Sequence, residues 1–333
     1  MKTFLIIATG AKTGGALTII NQFLEWAATK EKCKFLVIAP KIFIKKKNIK
    51  HIKFSTSGIN TAFFSLVGSI FYIIKYKPSI VISFSNLPIF FSKFFKCKIY
   101  TYFHNLNIVT KKNLKSKIYR FLIKYFSEEV IVQTIYSKKI AKSFFNNKIH
   151  VIWPGVTHHS KKKFFFFKET GNTKPIYLFY PVTDIYSKNK NFQFLIERSS
   201  FFKKNNIKII LPATSQLSLR QKNNDFLKFI GYLKLEKMYQ VYRMCSATIF
   251  LSLNESLGLP IYESLSLGKP TFVLKRPYIK ENLKQFKKDR LLILFKEKEF
   301  EKKLIKYLNL YNNEKIKNKP SKTYINNNWN DLF

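Results

Sequence analysis

Short apolar runs alternate along this chain with stretches whose apolar residues recur every three or four positions. Thr3–Ala8 is such a run, and the glycine-bearing loop Gly10–Gly15 follows it. Leu17, Ile20, Phe23, Leu24 and Ala27 then fall on one face of a helix. Phe35–Ala39 predicts the next strand, and Pro40 ends it. Ser79–Ser83, Lys98–Phe103 and Glu129–Gln133 predict buried strands between helical stretches. This alternation implies a parallel sheet covered on both faces.

The alternation pauses around His158–Lys174, where Lys161–Lys163 and Phe164–Phe167 precede a polar segment, and then restarts. Strands are predicted at Ile176–Tyr180, Ile207–Leu211, Ala247–Leu251 and Thr271–Leu274. Helices are predicted at Asn191–Lys203, Leu235–Cys245 and Pro260–Leu267. The expected fold class is therefore α/β, with two Rossmann-like doubly wound domains. Residues 1–160 form the first, 161–174 a linker, 175–310 the second, and 311–333 a C-terminal tail. The tail reads as solvated, with Trp329 and Phe333 as residues that could dock it. Ligands of such sheets bind outside the carboxyl ends of the strands, so the expected site is the cleft between two facing domains.

Composition changes this picture in one respect. Sixty Lys and Arg against eighteen Asp and Glu give a net charge of +42, a field that attracts phosphates of any kind. The abundance of Lys, Asn, Ile and Phe is also the signature of AT-rich coding. A nucleic-acid-binding protein is the rival reading that this charge raises, but no helix-turn-helix, zinc-finger or RNP-like pattern accompanies it. Cys33, Cys97 and Cys245 are too far apart for a metal set or a disulfide framework. The N-terminus runs straight into the first strand without a cleavable signal pattern, so the cytoplasm is the expected location. Thr61–Ile74 is strongly apolar, but the stretch before it is polar. Spanning a bilayer takes about 20 predominantly apolar residues, so this segment reads as a buried or membrane-facing amphipathic helix.

The sharpest local signal is Asn254–Glu263, between a predicted strand and a predicted helix. Pro260 suits the first helical position, and Gly268 suits the position just past the last turn. Glu255 then lies in the loop at the strand's carboxyl end and Glu263 in the helix's opening turn. Ionised carboxylates accept hydrogen bonds from sugar hydroxyls, and a helix N-terminus offers N–H groups to phosphate. Two isolated glutamates would ordinarily only cap or charge a helix. Here they share one short glycine- and proline-bearing stretch in a chain poor in acids. Gly14-Gly15 fits neither the P-loop nor the GxGxxG pattern, which argues against an ordinary NTPase or dehydrogenase. The four Asp residues form no Asp-x-Asp pair of the kind that holds a divalent cation, so no metal and no bound cofactor are expected.

The run Glu255–Pro270 (ESLGLPIYESLSLGKP) resembles the E-x7-E signature of the GT4-type glycosyltransferases, which have the GT-B fold and retain anomeric configuration. The likeness covers roughly residues 3 to 275 and takes in Gly14-Gly15-Ala16 and Val151–Val156, but only the second-half motif is highly specific. It implies transfer of a sugar from a nucleotide-diphosphate sugar to a glycan or lipid-linked acceptor, in bacterial surface polysaccharide synthesis such as lipopolysaccharide, O-antigen or capsule. It implies that Glu255 contacts the transferred sugar and Glu263 the ribose hydroxyls. Gly14, Gly15, Ser256, Leu257, Gly258 and Leu259 join them in donor binding. His104, at the carboxyl end of a predicted strand, would lie near the sugar. The family's usual Arg after the second domain's first strand is missing here, and this leaves Lys190, with Lys188 as alternative, for the diphosphate. The resemblance also suggests work at the inner face of the cell membrane, with peripheral contact to anionic lipid. A GT-B-shaped nucleotide-sugar epimerase is the remaining alternative.

Overall fold

The computed structural model describes residues 1–156, 175–213, 225–286, 289–312 and 322–333. The expected linker at 161–174 and tail residues 313–321 lie outside them. Two compact units result, Met1–Gly155 together with Asn326–Phe333, and Val156–Ile325.

The first unit is a seven-stranded sheet in the order β3-β2-β1-β4-β5-β6-β7. Its strands are β1 (Lys2–Ile7), β2 (Cys33–Ala39), β3 (Ile49–Lys53), β4 (Ile80–Ser83), β5 (Lys98–Tyr102), β6 (Glu129–Val132) and β7 (Lys148–Val151). Every neighbouring pair is parallel. Parallel strands need crossovers, and α-helices supply those after β1, β3, β5 and β6: α1 (Gly14–Ala28), α2 (Gly58–Phe63), α3 (Ser69–Tyr76), α4 (Asn107–Thr110), α5 (Leu114–Phe126) and α6 (Ile135–Lys142). Between α2 and α3, Phe64–Gly68 form a π turn, so the helix runs on from Gly58 to Tyr76. Leu5, Ile7, Ile38 and Val81 are buried on the face of the sheet that receives Phe64 and Ile73 of this helix. Strands covered on both sides in this way read as unbroken apolar runs, which is why β1 and β2 stand out in the sequence.

The second unit repeats the plan with six strands in the order β10-β9-β8-β11-β12-β13. These are β8 (Ile176–Phe179), β9 (Ile207–Leu211), β10 (Leu227–Phe229), β11 (Ala247–Phe250), β12 (Thr271–Leu274) and β13 (Leu292–Phe295). Its helices are α7 (Gln193–Ile196), α8 (Ser199–Lys204), α9 (Leu235–Met244), α10 (Leu259–Ser266), α11 (Pro277–Asn282) and α12 (Phe300–Asn312). The single helix expected over Asn191–Lys203 is two short ones. Arg198 breaks it with a non-helical backbone and lays its guanidinium 3.7 Å from the Phe194 ring centroid.

In both sheets the strand order reverses at the first strand of the unit. The crevice outside the strand ends at such a reversal is where doubly wound sheets bind ligands. In the first unit it is bounded by the loops after β1 and β4, and in the second by the loops after β8 and β11.

The end of the chain corrects the reading of a solvated tail. Trp329 is fully buried in the first unit, 4.9 Å from Phe23 and 5.7 Å from Tyr102 between ring centroids. Phe333 stacks on Trp26 at 5.4 Å.

Candidate active site

In the second unit the loop after β11 carries Asn254–Gly258, and the loop after β8 meets it. Asn189 joins the two: its Nδ2 donates to the Asn254 carbonyl at 2.7 Å and its Oδ1 accepts from Asn254 N at 2.9 Å. Leu253 N donates to the Asn189 carbonyl at 2.8 Å. Asn189 and Lys190 lie in the 3₁₀ turn Lys188–Lys190, whose end is set by Asn191 at φ 57°. The Tyr180 hydroxyl donates to the Lys190 carbonyl from below. This scaffold places Lys190 Nζ 2.6 Å from Glu255 Oε1, in an ion pair whose side chains are 28% and 20% exposed. Two residues that sequence reasoning assigned separately, one to phosphate and one to sugar, are thus direct partners. Lys188, in the same turn, is exposed.

Glycine is required at Gly258, where φ is +73° and a Cβ would come within 3.1 Å of Ile261 Cδ1. Gly258 is the N-cap of α10, so Leu259 is the first helical residue and Pro260 the second, one place later than expected. Glu263 therefore falls past the first turn, which corrects the expectation that it sits in the opening turn. Gly268, at φ +73°, follows the C-cap Leu267, as its position in the sequence implies. Ser264 Oγ donates to Thr248 Oγ1 at 2.8 Å and ties α10 to β11. Leu257 is buried and Ser256 partly exposed.

Glu263 is only 6% exposed. The Tyr242 hydroxyl donates to its Oε2 at 3.0 Å. Burial pushes this carboxyl from 4.5 up to about 7, opposed by the hydrogen bonds from Tyr242 and Tyr239. A carboxyl raised in the folded state stabilises the protein fully below its ordinary pKa. That contribution is lost as pH rises through about 7. The shift corresponds to about 3 kcal/mol in all. The thermal midpoint of the wild type is thus expected to fall relative to Glu263→Gln as pH rises from about 5 to 8. Parallel pH profiles for the two proteins would show that Glu263 does not titrate there.

In the first unit, Gly14 opens α1 at φ +63°, with Thr13 as an N-cap that makes no side-chain bond to the helix. A Cβ at Gly14 or Gly15 would meet nothing within 4 Å. The protein's own packing does not fill the space before these residues, and the backbone angle requires glycine only at Gly14.

His104 follows β5, and Asn86, in the loop after β4, holds it. Asn86 Oδ1 accepts from His104 N at 2.8 Å and from Asn105 N at 3.1 Å. Its Nδ2 lies 3.3 Å from His104 Nε2. An amide nitrogen can only donate, so Nε2 accepts and the proton of the neutral ring sits on Nδ1. The ring keeps partial solvent access, yet desolvation pushes its pKa down to about 4 and keeps it uncharged at neutral pH.

Asn86, Asn189 and Tyr242 were not singled out in the sequence. Asn86 carries a faint signal, since at φ 59° it occupies the left-handed region that Asn enters more readily than most residues. Among the described residues no group of three His, Cys, Asp or Glu is arranged to hold a metal ion.

Residues 161–324 match the family model described as glycosyl transferases group 1. No curated protein matches the chain. Solved structures with similar folds include HepE from Anabaena, in complex with UDP and glucose. It is 13% identical, with 92% of this chain and 90% of that chain covered and a TM-score of 0.65. Sucrose-phosphate synthase from Thermosynechococcus elongatus is 12% identical, with 93% and 90% covered and a TM-score of 0.68. WaaG, a glycosyltransferase involved in lipopolysaccharide biosynthesis, is 10% identical, with 92% and 90% covered and a TM-score of 0.63. The matched segment contains Lys190, Glu255 and Glu263, and the structural likeness extends over both units. The match to group 1 glycosyl transferases thus covers the second unit, and the two parallel sheets are those of the GT-B fold.

Proposed function

We propose that this enzyme moves a sugar from a nucleotide-diphosphate sugar to a glycan or lipid-linked acceptor, with retention of configuration and without a metal. The observation that carries the reading is the arrangement around α10. An ion-paired Glu255–Lys190 lies at the β11 loop, and a buried, tyrosine-bonded Glu263 lies on the helix behind it. Glu263 accepts from the ribose hydroxyls. Lys190, with Lys188 as its alternative, neutralises the diphosphate together with the N–H groups of Ser256, Leu257, Gly258 and Leu259 at the helix entrance. Glu255 holds the sugar hydroxyls. Donor binding then exchanges the resting Glu255–Lys190 pair for a carboxylate on sugar and an ammonium on phosphate, so neither charge is left unpaired.

In the first unit, Gly14 and Gly15 leave room for close approach to the backbone, and the family resemblance gives neutral His104, held by Asn86, a part in sugar transfer. The bond from the anomeric carbon to the leaving phosphate oxygen breaks as the acceptor oxygen bonds to the same face of that carbon. The acceptor's proton passes to the leaving diphosphate. No second carboxylate is needed as a nucleophile, and catalysis is positioning and electrostatics. The HepE complexes with UDP and UDP-glucose support a nucleotide-sugar donor, and the involvement of WaaG in lipopolysaccharide biosynthesis supports a surface-polysaccharide acceptor.

A thermal-shift series with UDP-, GDP- and ADP-sugars tests the reading. The true donor at about a hundred times its Kd stabilises the fold by roughly 2.7 kcal/mol, and Glu263→Ala is expected to abolish that shift. No shift with any nucleotide sugar would overturn the assignment.

A further inference from the structure

β2 and β3 are parallel neighbours, yet residues 40–48 between them form no helix. This crossover runs along α1 instead. Phe43 N donates to Asn21 Oδ1 at 2.8 Å, and Asn48 Nδ2 donates to the Ala27 and Lys30 carbonyls at 2.9 and 3.1 Å. The Asn48 carbonyl accepts from Phe35 N at 2.8 Å, and Ile49 N donates to the Lys46 carbonyl at 3.0 Å. These bonds fix the end of the crossover against the end of α1 and the start of β2. A cavity of about 670 Å³ lies between the three, with Ala28, Cys33 and Asn48 in its wall. Small-molecule sites commonly enclose about 300–1,000 Å³.

The charge in this wall is one-sided. Lys45, Lys46 and Lys47 line it from the crossover, and Lys34 lines it from β2. Against these four stands one acid, Glu31. Among the described residues, none of the five side chains belongs to an ion pair. The carbonyls at the end of a helix repel anions, but here they are already engaged. Asn48 holds that of Ala27, and Thr29 Oγ1 donates to that of Trp26 at 2.7 Å.

The wall also selects the kind of anion. Ammonium groups act on phosphate as point charges, and their arrival from two elements suits a ligand with more than one phosphate. Among the described residues no aromatic ring lines the cavity, so nothing in it stacks a base as single-stranded nucleic-acid sites do. The cavity lies at the amino ends of β2 and β3. From its wall α1 leads back to Gly14 at the other edge of the sheet, about 22 Å for 15 residues.

We propose that this cavity binds a compact, soluble polyanion carrying two or more phosphate groups. Lys45, Lys46 and Lys47 meet the ligand from one side and Lys34 from the other. The site belongs wholly to the first unit and shares no residue with the one proposed for the donor. It stands whether or not the donor reading holds.

Calorimetric titration of the full chain with inorganic tripolyphosphate tests the proposal. The wild type is expected to bind it. Lys45→Gln, Lys46→Gln and Lys47→Gln combined are expected to weaken that binding about tenfold or more, and Lys34→Gln alone about threefold. Lys115→Gln, Lys117→Gln and Lys124→Gln combined remove the same charge from exposed positions on α5 and should change the affinity by less than about threefold. Lys190→Ala should leave it unchanged. The thermal midpoint of either triple variant should match the wild type, since all six side chains are exposed. No binding by the wild type, or equal losses in the two triple variants, would overturn the proposal. So would binding lost only in Lys190→Ala, or single-stranded RNA held more tightly than tripolyphosphate through the same lysines.

Discussion

Glu255→Gln is expected to lower kcat/KM for sugar transfer on the order of 100-fold or more while leaving the fold intact. The substitution keeps the shape of the side chain and removes its charge. In the resting protein the Lys190 ammonium, 2.6 Å away, then loses its ion pair but keeps a neutral acceptor. Both side chains reach solvent in part, so the loss of stability is small, about 1 kcal/mol. Catalysis is affected far more. A carboxylate that holds the sugar hydroxyls while positive charge develops at the anomeric carbon acts mainly in the transition state. Removing one such electrostatic contact typically costs about 100- to 1,000-fold in rate. The loss is therefore expected in kcat, with the nucleotide's own affinity nearly unchanged, because Glu263 and the α10 entrance still hold it. Lys190→Ala should divide differently, raising the Kd for the nucleotide as well as lowering kcat. Steady-state rates together with nucleotide binding by calorimetry separate the two patterns. Wild-type turnover by Glu255→Gln would remove the central role given to this residue.

The interior of the fold was legible because parallel strands covered on both sides must be apolar along their length. β1, β2, β4, β5, β6, β8, β9, β11 and β12 all appear as such runs. The four strands that escaped notice are β3, β7, β10 and β13, which are the outermost strands of the two sheets. β3 reads Ile-Lys-His-Ile-Lys and β7 Lys-Ile-His-Val. Charge on an edge strand prevents pairing with other chains, and the same charge hides it from a search for apolar runs. β10 has three residues, too few for any pattern. The split between α7 and α8 was also illegible, because apolar spacing continues across Arg198 and only the packing of its guanidinium on Phe194 reveals the break.

At the site, the resemblance to the E-x7-E signature was what singled out Glu255, Glu263, Lys190, Gly258 and His104, and nothing in the sequence showed that Lys190 and Glu255 are partners. Lys190 and Glu255 are 65 residues apart, and they meet because β8 and β11 are neighbours in a sheet whose order reverses there. Asn189 and Asn86 do their work through backbone groups of residues on other loops, which local sequence does not identify. The environment of Glu263 depends on α9, whose Tyr242 and Tyr239 surround it. The acid's place in the motif was visible, but the rise of its pKa by burial was not.

Trp329→Ala is expected to destabilise the first unit by about 3–5 kcal/mol, the usual cost of removing a buried tryptophan. Its ring lies 4.9 Å from Phe23, 6.3 Å from Phe84 and 5.7 Å from Tyr102, which belong to α1, the loop after β4 and β5. The segment is anchored on both sides of the ring: Asn328 N donates to the Trp153 carbonyl at 3.2 Å, and Trp26 Nε1 donates to Asn330 Oδ1 at 2.9 Å. Local anchors of this kind prevent the cavity from collapsing, which puts the cost in the upper part of the range. For a unit of this size the loss corresponds to a fall in thermal midpoint of roughly 10 °C. Trp329→Phe retains most of the packing and should lose less than half as much. A functional consequence follows through Tyr102, whose ring touches Trp329 on one side and lies 6.3 Å from His104 on the other. At temperatures where Trp329→Ala remains folded, sugar transfer is expected to fall while nucleotide binding to the second unit persists. A Trp329→Ala midpoint within about 1 °C of wild type would show that the end of the chain does not pack into the first unit in solution.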